Sequence, residues 1–163
     1  MFKKFVIAVV TVLFFTFGSL VQSASAIEIP QEIRTLPLNE AGETIVVSEK
    51  DYEQGKREFN NVCSQCHVGG VTKTNPDVGL GLETLGYAYP PRDNIEGLID
   101  YMKNPTTYDG FYEISQLHPS LKSADIYPEM RNISEDDLYN IASYILIQAK
   151  TLGKQWGGGK IYR

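Results

Sequence analysis

The chain has 163 residues, with 15 basic and 20 acidic side chains and a formal net charge of −5. This length suits a single domain with a modest hydrophobic core. The acidic balance argues against nucleic acid and against simple adsorption to an anionic lipid surface. The sequence contains no internal repeat and no low-complexity tract.

The first 26 residues have the pattern of a secretory signal peptide. Lys3 and Lys4 form a basic start, an apolar run extends from residue 5 to 20, and Ala24-Ser25-Ala26 is a small-residue cleavage site. A retained membrane anchor is the alternative, but the apolar run is short for a bilayer span. We expect cleavage after Ala26, which leaves one domain, residues 27–163, with 13 basic and 20 acidic side chains and a formal charge of −7.

Residues 27–47 form an N-terminal extension that precedes the main domain. Two short β-prone runs, 35–38 and 44–47, flank a turn that contains Gly42. The pattern predicts a small β-hairpin, in which Pro37 confines its strand to an edge. An extended arm is the alternative.

Two amphipathic helices are predicted near the two ends of this domain. Ser48 with Asp51 begins the first, which extends to about Val62 and places Gly55 and Phe59 on one face. Ser134 with Asp137 begins the second, and Gly153 is its expected end. The second helix carries an apolar stripe at helical spacing, which comprises Leu138, Ile141, Ala142, Ile145, Leu146 and Ala149.

Cys63-Ser64-Gln65-Cys66-His67 is a C-x-x-C-H motif, the signature of c-type haem attachment. The thiols of Cys63 and Cys66 can each add to a vinyl group of one porphyrin, and His67 can bind the iron through an imidazole nitrogen. A thioredoxin-type disulfide needs a βαβ setting that the sequence lacks. A zinc site is disfavoured by the fifty residues between His67 and His118. The motif therefore predicts one covalently bound haem c.

The middle of the chain is predicted to hold a third helix and several turns. Asp93 and Glu96 form a capping box at the start of this helix, and Asn104-Pro105 ends it. A short helical piece is expected to end at Leu117. The segment 154–163, with three consecutive glycines, is predicted to be a flexible C-terminal tail.

The helix with Gly55-x-x-x-Phe59, the C-x-x-C-H motif and the terminal helix with Ala142-Ser143-Tyr144 together resemble the class I cytochrome c fold. In that fold the first and last helices cross tightly at the glycine, and the haem lies beneath them. The resemblance implies an all-α fold around one covalently bound haem, here preceded by the small hairpin.

The second axial ligand of the iron remains open at this level of resemblance. Met102 lies on the apolar face of its helix, where a core role is expected. Met130 stands a few residues before the last helix, roughly where class I cytochromes c place their ligand methionine. His118 is the only other histidine and lies in a loop punctuated by proline and glycine. The generic fold does not choose between His118 and Met130.

Longer stretches resemble the extrinsic cytochrome c-550 family of photosystem II over essentially the whole domain. They are Gly55-Lys56-Arg57, Cys66-His67-Val68-Gly69-Gly70, Thr72-Lys73-Thr74-Asn75-Pro76, the runs 90–98 and 100–110, His118-Pro119-Ser120-Leu121 and Trp156-Gly157-Gly158-Gly159-Lys160. The resemblance implies bis-histidine haem, with His67 and His118 as axial ligands and Met130 as packing beside the haem. Since imidazole stabilises ferric iron more than a thioether does, we expect a low potential.

The resemblance also implies a function that is not enzymatic. It implies an extrinsic haem subunit in the thylakoid lumen of a cyanobacterium or algal plastid, peripheral on the lumenal face of the membrane. Its partners there are the photosystem II core and other extrinsic subunits. The subunit is expected to stabilise the oxygen-evolving manganese–calcium cluster and its retention of calcium and chloride.

Two other functions are weighed against this one. A soluble, diffusible electron-transfer cytochrome c is the main alternative, which a low potential disfavours. A haem peroxidase is disfavoured because two strong ligands leave no open coordination site. We also expect the tail through Lys160, Ile161, Tyr162 and Arg163 to contact the partner, since Trp156 and Tyr162 have no evident place in the cytochrome core and aromatic residues are common interface anchors.

Overall fold

The structure, a computed structural model, describes residues 28–158, so the predicted signal peptide and residues 159–163 lie outside it. The helices are α1 (Gln31–Arg34), α2 (Glu49–Glu58), α3 (Ser64–His67), α4 (Leu82–Gly86), α5 (Ile95–Lys103) and α6 (Glu135–Leu152). A π-helical turn (Phe59–Cys63) joins α2 to α3, and 3-10 turns lie at Val68–Gly70, Leu121–Ser123, Pro128–Met130 and Gly153–Gln155. None of the helices within residues 28–158 is long and apolar enough to cross a membrane.

The predicted hairpin is present and packs on the core. Strands β1 (Thr35–Pro37) and β2 (Thr44–Val46) pair antiparallel, with Leu36 opposite Ile45. The Asn39 side chain accepts a hydrogen bond from the Ala41 amide, 3.1 Å, which stabilises the turn between the strands. Leu36 is 1% exposed, because its side chain joins the core beneath the helices. The alternative of an extended arm is therefore wrong.

Helices α2 and α6 cross at Gly55, as the sequence predicts. A Cβ atom added to Gly55 would lie 1.9 Å from the backbone oxygen of Asn140, so only glycine permits this approach. Beside the crossing, the Phe59 and Tyr144 rings pack with their centroids 5.1 Å apart. The Ser134 capping box of α6 and the Ser48 cap of α2 are both present, and Gly153 ends α6 with a positive φ of 53°. These local signals fix where each helix begins and ends.

Helix α5 begins one residue later than the capping pattern predicts. Its N-cap is Asn94, whose side chain accepts a hydrogen bond from the Gly97 amide at 2.8 Å. The predicted role of Asp93 with Glu96 is therefore wrong, because the neighbouring Asn94 carries an equally good capping group. Ile95, Leu98 and Met102 face the core as expected, and Asn104 ends the helix.

No helix forms in residues 105–117, so the prediction of a short helical piece there is wrong. Thr106 pairs with Glu113 in an isolated antiparallel bridge. Asp109 accepts hydrogen bonds from the Thr107 hydroxyl at 2.5 Å and from the Phe111 amide at 3.2 Å. These side-chain bonds offer the backbone an alternative to helical hydrogen bonding, and the loop that carries His118 follows directly.

Candidate haem site

The C-x-x-C-H motif lies on a continuous helical turn at the end of α2. The π-helical turn carries Cys63, and α3 carries Cys66 and His67. Cys63 is half-buried, Cys66 is exposed, and both are free thiols. Burial, and to a lesser extent the nearby Cys66, raise the pKa of the Cys63 thiol to about 12. An uncharged sulfur, as in a thioether, therefore suits the position of Cys63.

The His67 ring is oriented by a hydrogen bond to Thr72. The Thr72 Oγ1 atom lies 3.2 Å from Nδ1 of His67 and 2.5 Å from the carbonyl oxygen of Val78. A hydroxyl has one proton to donate, and a carbonyl can only accept. Thr72 therefore donates to Val78 and accepts from His67. This arrangement puts the proton of His67 on Nδ1 and leaves Nε2 with a free lone pair, the tautomer that a metal ion needs.

His118 comes from the loop after residue 105 and faces His67. The centroids of the two imidazole rings are 6.1 Å apart, and their planes are inclined at 51°. The His118 amide donates to the Ile114 carbonyl at 2.9 Å, which fixes the backbone of this residue. Its ring atom Nδ1 is buried and has no hydrogen-bond partner among the described residues. The fold thus brings together two histidines that fifty intervening residues separate in the sequence.

Both imidazoles are held in their neutral, metal-binding form. Burial lowers the pKa of His67 to about 4, and the proximity of His118 lowers it as well. Burial also lowers the pKa of His118, partly offset by the backbone of Pro119. Protonation therefore does not compete with metal binding at neutral pH.

The separation of the two rings fits a haem iron held between them. A bond from a metal ion to an imidazole nitrogen is about 2 Å long, and the ring centre lies roughly 1 Å beyond that nitrogen. Two such ligands on opposite sides of one ion place their ring centres about 6 Å apart, in agreement with the 6.1 Å observed. Cys63 and Cys66, on the same turn as His67, are placed to bind the porphyrin edge. The alternative of a zinc site gains no support, since residues 28–158 contain no cluster of three or more His, Cys, Asp or Glu side chains that could hold a metal ion.

The two methionines considered as ligands are both buried. Met102 is 8% exposed and packs in the main core. Met130 is 4% exposed, and its 3-10 turn packs against the π-helical turn that carries Cys63. These contacts agree with a packing role for both side chains.

A family model for the cytochrome c-550 domain matches residues 27–163. The chain belongs to the cytochrome c-550 family. This family carries a covalently bound haem c, so the fit of the site and the family agree on the cofactor.

Curated relatives and solved structures resemble the chain over most of its length. Photosystem II extrinsic protein V of Trichodesmium erythraeum is 69% identical over 161 residues, 99% of each chain. The protein of the same name from Thermosynechococcus vestitus is 59% identical over 148 residues, 91% of this chain and 88% of that one. The crystal structure of a cytochrome c549 has 62% identity and a TM-score of 0.77, and it covers 78% of this chain and 99% of its own.

In this cytochrome c-550, Trp156 packs beside the C-x-x-C-H turn, against Phe59 and Gly70. Trp156 is 4% exposed, and its ring centroid lies 5.8 Å from Phe59 and 6.0 Å from Tyr144. The interpretation of Trp156 as a residue without a place in the core is therefore wrong. The prediction failed because the glycines next to Trp156 suggested a flexible segment. A lone tryptophan at the edge of a glycine run was the available signal of packing.

The glycines after Trp156 allow close packing against the haem-binding turn. The Gly157 amide donates to the Gly69 carbonyl at 3.0 Å, directly after the motif. A Cβ atom added to Gly79 would lie 1.9 Å from the Gly157 oxygen. Trp156 and Gly157 are thus packed, contrary to the predicted flexible tail, whereas Lys154, Gln155 and Gly158 are exposed. The predicted contact of Lys160, Ile161, Tyr162 and Arg163 with a partner lies outside the described residues and stays a prediction.

Three residues near the histidines received no role from the sequence. Thr72 orients His67, as described above. Tyr101 packs edge-on against His118 with centroids 4.9 Å apart, and the guanidinium carbon of Arg92 lies 3.9 Å from the Tyr101 ring centroid. All three lie within the stretches that resemble the family, but only their contacts across the fold reveal what they do.

Proposed function

We propose that this chain is an extrinsic haem subunit of photosystem II, held on the lumenal face of the thylakoid membrane. Its relatives at 55–69% identity over nearly the full chain bear the name photosystem II extrinsic protein V, and this likeness carries the proposal. In this role the chain stabilises the oxygen-evolving manganese–calcium cluster and helps to retain calcium and chloride. Its haem then serves a structural subunit rather than an enzyme.

Within the chain, the proposal assigns Cys63 and Cys66 as the covalent haem attachments and His67 and His118 as the axial ligands. The observation that supports this assignment is the 6.1 Å separation of the two imidazole rings beside the two thiols. Bound in this way, the haem supplies one-electron redox chemistry at low potential, because two imidazoles favour ferric iron. Thr72 holds the proton of His67 on Nδ1, so that Nε2 is free to bind.

An exposed aromatic surface supports a docked protein rather than a free carrier. Tyr87, Tyr89, Phe111 and Tyr112 are between 71% and 80% exposed. The Tyr89 amide donates to the Tyr108 carbonyl at 2.9 Å, so the loop with Tyr87 and Tyr89 lies against the turn that carries Phe111 and Tyr112. Large exposed apolar patches on soluble domains mark sites of protein interaction, and aromatic residues are enriched in the cores of interfaces.

The axial assignment is tested by the far-red absorption spectrum of the oxidised holoprotein. We expect low-spin haem without a sulfur-to-iron charge-transfer band. The variant His118→Met is the matched positive control, in which such a band and a higher potential are expected. A band in the unmodified protein would instead assign Met130 or Met102 to the iron and would return a diffusible electron carrier to first place.

The role in photosystem II is tested by deletion and rebinding. The protein should copurify with photosystem II membranes and be released by high salt, since the Debye length falls from about 10 Å at 0.1 M to about 3 Å at 1 M. Phe111→Ser and Tyr112→Ser should weaken rebinding, whereas Val46→Ser, on the hairpin, should not. Oxygen evolution that is unaffected by deletion when calcium or chloride is limiting would refute the proposed function.

A further inference from the structure

Arg92 is a buried cation without an acidic partner. It is 6% exposed, and no carboxylate within residues 28–158 lies at ion-pair distance from it. Its Nη2 atom donates instead to the Thr107 carbonyl at 2.9 Å, to the Thr106 carbonyl at 3.3 Å and to the Thr106 hydroxyl at 3.2 Å. Arginine is almost never buried without a paired charge, because desolvation of the guanidinium is costly. No carboxylate side chain within residues 28–158 therefore neutralises the charge of Arg92.

The guanidinium of Arg92 is linked to His118 through the ring of Tyr101. The guanidinium carbon of Arg92 is 3.9 Å from the centroid of Tyr101, within the range of a cation–π contact. Tyr101 also contacts His118, whose ring it meets edge-on with centroids 4.9 Å apart and planes inclined at 60°. Tyr101 thus contacts both Arg92 and His118 and links the buried charge to this histidine.

The two histidines are supported in different ways. His67 has a side-chain hydrogen bond at Nδ1 to hold its ring, whereas Nδ1 of His118 is buried without a side-chain partner and has only the backbone of its neighbour Pro119 beside it. A metal-binding histidine usually donates its second N–H to an oxygen atom, which fixes the ring orientation. Without a side-chain partner, the orientation of the His118 ring depends largely on packing, and the Tyr101 ring lies against it with centroids 4.9 Å apart.

We propose that Tyr101 and Arg92 are positioning residues for His118, and that the buried charge of Arg92 sets the electron affinity of the haem site. This inference rests on the axial role of His118 proposed above. Tyr101 fixes the angle of the His118 ring, and Arg92 holds Tyr101 in place through the cation–π contact and its bonds to Thr106 and Thr107. One-electron reduction of ferric to ferrous iron removes one positive charge from the site. A buried cation nearby therefore favours the reduced form and raises the potential.

The test uses the full-length holoprotein and two independent readouts. The first is the reduction potential, measured with electrons supplied by an electrode. The second is the electron paramagnetic resonance spectrum of the ferric form, whose g-values depend on the angle between the two axial imidazole planes. That angle is 51° in the structure. Neither readout responds to a loss of stability alone.

Four variants separate charge from packing. Arg92→Gln removes the charge and should lower the reduction potential. Arg92→Lys keeps the charge and should have a potential close to that of the unmodified protein, although lysine lacks the planar face for stacking. Tyr101→Leu removes the ring and should shift the g-values, whereas Tyr101→Phe keeps the ring and should leave them unchanged. Should Arg92→Gln fail to incorporate haem, Arg92→Met, which also lacks the charge, takes its place in the comparison with Arg92→Lys, and the Tyr101 pair tests the positioning of His118 separately.

Two results would overturn the inference. Equal potentials for Arg92→Gln, Arg92→Lys and the unmodified protein would contradict the role of the charge. Unchanged g-values in Tyr101→Leu would contradict the positioning of His118. Both results leave the proposed function intact if the unmodified protein shows bis-histidine ligation and rebinds to photosystem II. A sulfur-to-iron band in the unmodified protein would instead remove the axial assignment itself, and with it this inference.

Discussion

Gly55 is the closest point of contact between α2 and α6, and replacing it tests the crossing on which the haem site is built. A Cβ atom at Gly55 would lie 1.9 Å from the Asn140 carbonyl oxygen, whereas ordinary contact begins at 3.4 Å. The obstacle is backbone of the facing helix, which no side-chain rotation can relieve. Gly55→Ala would therefore force the helices apart locally by about 1.5 Å, the difference between these two distances.

The energetic cost of this separation exceeds the gain from a better helix-forming residue. A gap of about 0.5–1 Å already forfeits a quarter to a half of the dispersion energy at a packed contact, and overpacking a core costs about 1–3 kcal/mol. Alanine gains up to about 1 kcal/mol over glycine within a helix. We expect Gly55→Ala to lose about 1–2 kcal/mol of unfolding free energy, and the larger Gly55→Val to lose more.

The assay is urea unfolding of the holoprotein, followed by far-ultraviolet circular dichroism and by the Soret absorption of the haem. Lys56→Ala, the next residue of α2 and exposed, is the matched control and should change the unfolding free energy by less than about 0.5 kcal/mol. A Gly55→Ala variant as stable as the unmodified protein, or more stable, would refute the reasoning. That result would mean that the variant gains from the better helix propensity of alanine without any steric cost, so α2 and α6 could not approach each other as closely as they do in the structure.

Three further predictions follow from the contacts around the site. Thr72→Val leaves the Nδ1–H group of His67 without its acceptor, so the ligand becomes less basic and the potential should rise; Thr74→Val, outside this contact, should leave the potential unchanged. Trp156→Ala should lower the unfolding free energy by about 3–5 kcal/mol, whereas truncation after Gly158 should leave the stability and the haem spectrum intact. A loss of stability on that truncation would instead assign core contacts to residues 159–163. Asp109 has its pKa lowered from 3.8, first by the Thr107 hydroxyl and then by the Phe111 amide. The stabilising effect of the Asp109 carboxylate is therefore fully present above pH 3.8 and lost as the pH falls through the lower folded-state pKa. Asp109→Asn should remove this part of the acid dependence of the melting temperature. An equal dependence of the melting temperature on pH in both proteins would contradict the prediction.

The features that sequence predicted well are those encoded within a few residues. The caps at Ser48 and Ser134 lie three residues from the acidic side chains they pair with, and the structure has both bonds. The turn of the hairpin and the end of α6 at Gly153 also depend on local conformational preferences. The C-x-x-C-H motif is local in the same sense, since one helical turn brings both thiols and His67 together.

The features that sequence missed depend on contacts between distant segments. Trp156 packs against Phe59, which lies almost a hundred residues earlier in the chain, and the glycines that follow it suggested a flexible end instead. The loop before His118 is fixed by Asp109 and Thr107, whose side-chain bonds outweigh a weak helical preference. The role of Arg92 is invisible in sequence for the same reason, because Tyr101 and Thr106 reach it only through the fold.

The two halves of the haem site are thus stabilised by independent parts of the molecule. His67 takes its orientation from Thr72 and Val78, within eleven residues of the chain, so its half of the site forms wherever the C-x-x-C-H turn and the following loop form. His118 depends on α5, which supplies Tyr101, and therefore on the packing of α5 against α6. A change at the crossing of α2 and α6 displaces Cys63 and His67 relative to His118, whereas a change at Arg92 acts on His118 alone. The potential of the haem site is accordingly set by two separate environments of opposite effect, a hydrogen bond that favours ferric iron on one side and a buried cation that favours ferrous iron on the other.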